Sequence, residues 1–290
     1  MRVMSWNVQG AFPPQGSTER ISSQIEYIRD TAGNPDLLML NEVTTDRREL
    51  WRDSLEKIGY REIVDTLDWS HELAECSVPP YQDYSGVNGN LTAIHDESQL
   101  RDLTRNSPSI SKGVYEDAKR KHWDTNFPEK ILNAEVRFEE TTIDLWNIRT
   151  VPGSMYGEEK VKILENTYSR IVKAGSDRCI LAGDFNAPKT ELEDGTVIPW
   201  GLDNEDEFRE RWVNAELNIL TGLEEYGMVD VFREIYGYGD IETEDVSFQS
   251  LRFDHILASK ILHPENCYYD HAGLNYSDHA PIIAELRLRS

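Results

Sequence analysis

The 290-residue sequence has few cysteines and no long apolar run, and both absences exclude classes of protein. Its three cysteines, Cys76, Cys179 and Cys267, are widely spaced and form no Cys-x-x-Cys pair. We therefore expect free thiols rather than a disulfide framework. No apolar stretch approaches the roughly 20 residues that cross a bilayer. The chain also begins directly with a strand-like pattern, so we expect no signal peptide and a cytoplasmic protein without membrane contact.

The sequence also lacks a Pro-, Gly- or Ser-rich linker between regions of different composition, and it contains no internal repeat. A chain of this length can bury a large core as one domain. Polar motifs are spread from one end to the other, so we predict a single catalytic domain over 1–290. The sequence does not specify the oligomeric state, and a monomer is the favoured expectation.

Basic residues are scarce: 30 Lys and Arg stand against 53 Asp and Glu, a formal net charge of −23. This charge should repel a polyanionic substrate at low salt. Two interpretations remain open. The acidic surface is a halophile-like adaptation to molar salt, where a Debye length of about 3 Å screens the repulsion, or the substrate is small and needs no basic groove. Arginine outnumbers lysine and the acids are clustered, which favours the high-salt interpretation.

The order of strand-like and helix-like patterns is typical of an α/β protein. Apolar residues alternate, or form short buried runs, in the predicted strands 2–8, 36–40, 91–94, 131–138, 142–148, 179–182, 246–248, 253–258 and 281–288. They recur at helical spacing in 21–28, 50–58, 161–172 and 212–226. Strand, helix, strand and hairpin, repeated twice, predict two sheets with helices outside.

Polar residues stand at the ends of several of these predicted strands, where layered α/β folds gather their chemistry. They are Asn7, Glu42, Asp184, Asn186, Asp254, Asp278 and His279. One acid after a strand is more often a solvated turn residue, but the whole set in this order indicates a site. Two like charges 4 Å apart repel by about 4 kcal/mol at an effective dielectric of 20, so clustered acids require a cation. Carboxylate and amide oxygens favour Mg²⁺ or Mn²⁺ over zinc.

The motifs Trp6-Asn7, Gly183-Asp184-Phe185-Asn186 and Ser277-Asp278-His279-Ala280-Pro281 together resemble those of the endonuclease/exonuclease/phosphatase superfamily. The opening Ser5-Trp6-Asn7-Val8-Gln9-Gly10 is similar to that of its exonuclease and apurinic-endonuclease branch. The resemblance implies two mixed β-sheets packed face to face and flanked by helices, in four α/β/β/α layers. It also implies a hydrolase that cleaves phosphate esters with Mg²⁺ or a similar ion.

The resemblance assigns Glu42 as the main metal ligand, with Asn7 and Asp278 completing its surroundings. It assigns Asp184 to positioning and deprotonating the attacking water, and Asn186 to holding the phosphate.

The same resemblance makes His279 a donor to an oxygen of the transition state, with Asp254 fixing its tautomer. Many relatives carry a second catalytic histidine, or a tyrosine, where this chain has Arg149 and Thr150. Arg149 either neutralises a non-bridging phosphate oxygen, with Asn147 pointing to the same rim, or is a strand-end arginine paired with a surface acid.

A basic segment with interleaved aromatic residues lies between 109 and 130. It includes Trp123 and Phe127, and it is either a substrate arm or an ordinary charged helix surface. The leading functional hypothesis is a metal-dependent nuclease acting on DNA or RNA. A phosphatase or phosphodiesterase for a small or lipid-derived phosphate is the alternative. A non-catalytic binding protein on the same fold is disfavoured, because binding alone would not require all of the site residues.

Overall fold

Two six-stranded sheets form the framework of the computed structural model, which describes residues 1–10, 17–68, 88–107, 123–153, 158–175, 177–205, 207–238 and 245–289. With strands numbered along the chain, the first sheet has the order β13 (Leu262–Tyr269), β14 (Ile282–Leu288), β1 (Arg2–Asn7), β2 (Leu37–Thr44), β4 (Asn88–His95), β3 (Tyr60–Asp65). The second has the order β11 (Met228–Asp230), β12 (Asp254–Ser259), β8 (Cys179–Asp184), β7 (Thr141–Arg149), β6 (Ile131–Phe138), β5 (Leu100–Arg105). A short hairpin joins β9 (Thr190–Glu191) and β10 (Val197–Ile198).

Both sheets are mixed. The pairs β1–β2 and β7–β8 run parallel, and the other neighbours are antiparallel. Parallel strands end at the same edge, so the carboxyl ends of β1 and β2 lie side by side, as do those of β7 and β8. These ends define the rim that carries the candidate site.

Five α-helices lie within the described residues: α1 (Thr18–Glu26), α2 (Arg48–Lys57), α3 (Glu159–Ala174), α4 (Arg209–Leu220) and α5 (Val231–Tyr236). The Ser17 hydroxyl caps α1 by accepting from the backbone N–H of Arg20 at 3.1 Å. Gly175, at φ +92°, ends α3 as predicted. None of the described helices has the length and apolar character required to cross a membrane.

Side chains alternate along the strands and so build three apolar layers. Leu37 and Met39 point between the sheets and pack with residues such as Ile180 and Ala182 of the second sheet. Leu38 and Leu40 point away from the other sheet and pack against α1 and α2. Leu181 and Ile148 likewise pack against α3 and α4 on the opposite face. The predicted four-layer α/β/β/α sandwich is confirmed.

Some local predictions require correction. The predicted strand 246–248 is reduced to isolated bridges at Phe248, because the chain turns back on itself there. In the interval 70–120 only the strand 91–94 was predicted, but its described part contains all of β4 and β5. Cys179 and Cys267 are buried free thiols, as predicted. Cys76 lies outside the described residues.

Candidate active site

Strand register places three charged side chains next to one another on the second sheet. Asp184, the last residue of β8, is paired with Arg149 at the end of β7 and with Asp254 at the start of β12. All three are buried. The Arg149 Nε lies 3.8 Å from Asp184 Oδ2, so one cation faces the carboxylates from within the protein.

Asn7, at the end of β1, connects the first sheet to this group. Its amide Nδ2 donates to Glu42 Oε1 at 3.2 Å and to Asp184 Oδ2 at 3.0 Å. Its Oδ1 accepts from the backbone N–H of Gln9 at 2.9 Å, which fixes the orientation of the amide. The Ser277 hydroxyl donates to the backbone carbonyl of Asn7 at 2.6 Å and attaches the C-terminal motif to β1.

Glu42 occupies an irregular position in β2, where the pairing with β4 shifts between Leu40 and Val43. Its φ of +61° is left-handed, a conformation that costs a non-glycine residue about 1–2 kcal/mol and is concentrated at functional sites. A Cβ at Gly10 would lie 1.8 Å from the Glu42 carbonyl oxygen, so only glycine fits there. The result is a buried carboxylate whose Oε1 contacts Arg149 Nη2 at 2.5 Å.

His279 is held in place by hydrogen bonds to its ring and to its backbone carbonyl. Its Nδ1 lies 2.7 Å from Asp254 Oδ2, and its carbonyl accepts from the Trp6 indole at 2.9 Å. The ring also packs against Phe248, with centroids 4.7 Å apart. Burial alone would lower the pKa of His279, but the carboxylates of Asp254 and Asp184 outweigh it and raise the pKa to about 9. The imidazolium form, a donor at both nitrogens, is therefore favoured at neutral pH.

Asp184 and Asn186 form a compact polar turn at the end of β8. Asp184 Oδ1 accepts from the backbone N–H of Asn186 at 2.9 Å, and the Asn186 amide donates to the Thr150 carbonyl at 3.0 Å. Asn186, at φ +47°, is a second left-handed non-glycine residue in the site. Burial raises the pKa of Asp184 to about 6, although His279 and Arg149 oppose the shift. A carboxylate with a pKa close to the working pH is suited to accept a proton.

The residues fit a hard divalent cation. Carboxylate oxygens of Asp184 and Asp254 lie within 4.8 Å of each other beside the ring of His279, and Asp254 Oδ1 is buried without a hydrogen-bond partner. An unpaired buried carboxylate oxygen is costly unless a cation or water satisfies it. The predicted ligands Glu42 and Asn7 adjoin this group. The remaining predicted ligand, Asp278, is exposed, and its charge interacts with that of Glu42.

Asn147 lies in a buried amide network rather than at the rim. Its Nδ2 donates to the carbonyls of Leu40 and Leu91, at 3.3 and 3.0 Å, and its Oδ1 accepts from Asn41 Nδ2 at 2.7 Å. Asn41 in turn accepts from the backbone N–H of Asp184 at 3.1 Å. Asn147 therefore supports the Asp184 turn from between the sheets and is not placed to contact a phosphate.

The aromatic residues of the proposed substrate arm are core residues. Trp123 and Phe127 are buried in the apolar layer with α3, so they offer no surface on which a base could stack. Residues 109–122 of that segment lie outside the described residues. His255 stacks on Phe185 and bridges Asp230 and the carbonyl of Ala187.

Two supporting residues carried no motif in the sequence. Lys160 of α3 is buried and donates to the carbonyl of Asn186 at 2.8 Å and to Glu216 at 2.5 Å. Arg20 of α1 donates to the Tyr276 carbonyl at 2.9 Å, which joins α1 to the C-terminal motif. The only sequence signal for Lys160 was its position next to the apolar stripe of α3. Nothing in the sequence indicated the role of Arg20.

Known proteins show the same arrangement of elements. An AP endonuclease from Archaeoglobus fulgidus is 19% identical with a TM-score of 0.62, over 99% of this chain and 100% of that one. The human Nocturnin catalytic domain is 15% identical with a TM-score of 0.61, over 99% of this chain and 94% of that one. D. rerio TDP2, complexed with single strand DNA product, is 15% identical with a TM-score of 0.57, over 99% and 98%. No curated protein sequence matches the chain.

At these identities the structures establish the fold alone. The family model, in contrast, matches the sequence itself over residues 4–279, which is nearly the whole chain. This range includes every candidate site residue named above. The chain therefore belongs to the Endonuclease/Exonuclease/phosphatase family.

Proposed function

We propose that this protein is a divalent-metal-dependent phosphodiesterase that cleaves nucleic acid, DNA in the first instance, by attack of an activated water. The observation that carries the proposal is the convergence of Asp184, Asp254 and His279, whose ligand atoms lie within 4.8 Å of one another. The family is one of phosphate-ester hydrolases, which agrees with this chemistry.

Each of these side chains has a role that its geometry supports. Asp184, with its pKa raised to about 6 by burial, positions the water and accepts its proton. His279, oriented by Asp254, donates to an oxygen of the phosphate as negative charge develops there. The amide of Asn186 and the guanidinium of Arg149 hold the remaining phosphate oxygens.

We propose that the carboxylates of Glu42 and Asp278 hold the cation and that Asn7, whose amide N–H donates to Glu42 and Asp184, completes its surroundings. The bound ion would supply Lewis-acid polarisation of the phosphate and neutralise its charge. The oxygen-rich donor set favours Mg²⁺ or Mn²⁺. Arg149 pairs with Glu42 and partly neutralises its charge.

Nucleic acid is the proposed substrate because the structurally similar proteins include an AP endonuclease and a TDP2 solved with a single strand DNA product. The alternative is a small-molecule phosphate ester, which the net charge of −23 favours because a compact substrate needs no basic groove. We retain it as the second candidate.

A panel of substrates in Mg²⁺ and Mn²⁺, each at low and molar KCl, separates the two candidates. It contains abasic duplex, blunt and recessed DNA, RNA and sugar phosphates. We expect DNA cleavage that persists or rises towards molar KCl, because screening removes the repulsion between the acidic surface and the polyanion. A steep fall in DNA cleavage with salt at constant thermal stability would contradict the high-salt interpretation. Turnover of sugar phosphates without cleavage of DNA or RNA would favour the small-molecule candidate.

Glu42→Gln should weaken metal binding while leaving the fold intact, because the amide keeps the shape of the side chain but not its charge. We expect the metal concentration that gives half-maximal rate to rise about tenfold or more, the scale expected for disturbing a metal site. The matched control is Glu285→Gln, the same change at an exposed position of β14. Identical metal titrations for the two variants would remove Glu42 from the site.

A further inference from the structure

A cavity of about 580 Å³ lies beside Asn186, at the edge of the candidate site. Its size falls within the range of about 300–1,000 Å³ that is typical of ligand pockets. Four aromatic side chains line it: Phe253, Trp200, Phe208 and Trp212.

Two lining residues of the cavity belong to the segments that carry the catalytic acids. Asn186 follows Asp184 by two positions, and Phe253 directly precedes Asp254. The backbone N–H of Phe185 donates to the Phe253 carbonyl at 2.9 Å, which joins the two segments. A group bound in the cavity therefore adjoins a phosphate held at Asn186.

The walls are fixed to the site by one buried acid, Glu216. It accepts from the indole N–H of Trp212 at 2.6 Å, from the backbone N–H of Trp200 at 2.8 Å and from Lys160 at 2.5 Å. Lys160 also bonds the Asn186 carbonyl. The two tryptophans and the Asn186 turn are thus held by one bonded group, as a preorganised binding site requires.

The charges around the cavity favour a neutral ring over a second anion. Lys160 is the only cation among its described lining residues, and Glu216 neutralises it. Glu158 and Asp203 also line the cavity and are paired with Arg211 and Lys189, so the described lining residues offer an anion no unpaired cation. Aromatic walls with an amide such as Asn204 suit a planar heterocycle, which stacks on rings and forms hydrogen bonds at its edges.

We propose that this cavity binds the nucleobase of the nucleotide that adjoins the scissile phosphate, stacked against Trp200. The proposal rests on the proposed function and deepens it, because it makes a nucleoside phosphodiester the substrate class. A base that stacks on aromatic walls is accepted with little regard to its identity.

The first experiment measures kcat/KM in Mg²⁺ for trinucleotides that carry either a base or a tetrahydrofuran residue on each side of one cleavable phosphate. We expect the wild-type protein to prefer the base at one of the two positions by about tenfold or more, the scale of a lost base–aromatic stack. Trp200→Ala should remove this preference and Trp200→Phe should restore most of it. Leu202→Ala is the matched control, since exposed Leu202 shares the helical turn of Trp200 but does not line the cavity.

The second experiment is independent of catalysis. Saturation-transfer NMR with adenosine 5′-phosphate in EDTA should show stronger transfer to the adenine protons than to the ribose protons. The signal should be lost in Trp200→Ala and kept in Leu202→Ala, with both variants shown to be folded by circular dichroism.

The outcomes distinguish the pocket from the proposed function. Equal kcat/KM with and without a base, together with no Trp200-dependent saturation transfer, would contradict the proposed base-binding cavity. It would leave the proposed phosphodiesterase activity unaffected. Trp200-dependent adenine binding without cleavage of any trinucleotide would support the pocket and contradict the nuclease. Preferential transfer to the ring of p-nitrophenyl phosphate over adenine would overturn the nucleobase assignment in favour of a phenolic group.

Discussion

Asp184→Asn should lower kcat by about 10²–10⁴-fold and change KM little, since loss of a positioned general base has effects of this size. The substitution keeps the shape of a buried residue that accepts from Asn186 and Asn7, so the turn should persist. It removes the proton acceptor and part of the charge beside His279. His279→Ala should lower kcat by a similar factor, because the donor to the developing oxyanion is lost.

The control for Asp184→Asn is Asp102→Asn, the same change at an exposed residue that pairs with Arg137. It should leave both kinetic constants unchanged. Losses below tenfold in both Asp184→Asn and His279→Ala would mean that the chemistry takes place elsewhere.

Arg252→Ala should destabilise the protein by about 3–5 kcal/mol, because it removes a buried cation that Glu191 and Asp230 share. The Arg252 guanidinium is buried and contacts Glu191 at 2.8 Å and Asp230 at 2.6 Å. It also approaches the Tyr269 hydroxyl, which donates to the Asp254 carbonyl at 2.6 Å. We therefore expect a lower urea midpoint and, through Asp254, a lower kcat in the protein that remains folded.

The control for this variant is Arg287→Ala. Arg287 forms an ion pair of similar length, 2.7 Å, with Glu265, but both side chains are about half exposed or more. Exposed pairs contribute about 1 kcal/mol or less. Equal unfolding free energies for the two variants would contradict the structural role of Arg252.

The inner strands of both sheets could be predicted from the sequence, whereas the edge strands could not. The strands β3, β13, β5 and β11 stand at the four sheet edges, and none was predicted. Edge strands are shielded on fewer sides and carry more polar residues, as in the sequence Leu-Arg-Asp-Leu-Thr-Arg of β5. Their apolar pattern is correspondingly weak, and their position depends on pairing with distant strands.

Some features of the candidate site could likewise be predicted from the sequence, and others could not. Asp184, Asp254 and His279 could be predicted because their residue types recur in motifs at strand ends. The ion pair of Arg149 could not be predicted, because its partner Glu42 is more than 100 positions away in the sequence and no sequence pattern relates the two residues. The prediction for Asn147 placed it at the rim, but buried carbonyls between the sheets engage its amide instead.

The cavity beside Asn186 had no sequence signal at all. Its aromatic residues come from the turn Trp200–Asp203, from α4 and from the segment before β12. Each of them alone is consistent with ordinary core packing. Only the fold shows that they surround one space and that Glu216 ties them to the site.

In the proposed mechanism the clustered acids act on a phosphodiester together with a divalent cation. The most direct test is the rate of DNA phosphodiester hydrolysis by the purified protein, measured in excess EDTA and then during titration with Mg²⁺, beside Asp184→Asn. We expect no hydrolysis in EDTA, saturable recovery with Mg²⁺ for the wild type, and recovery reduced by about 10²-fold or more for the variant. Full hydrolysis in excess EDTA, or equal recovery by both proteins, would contradict the account.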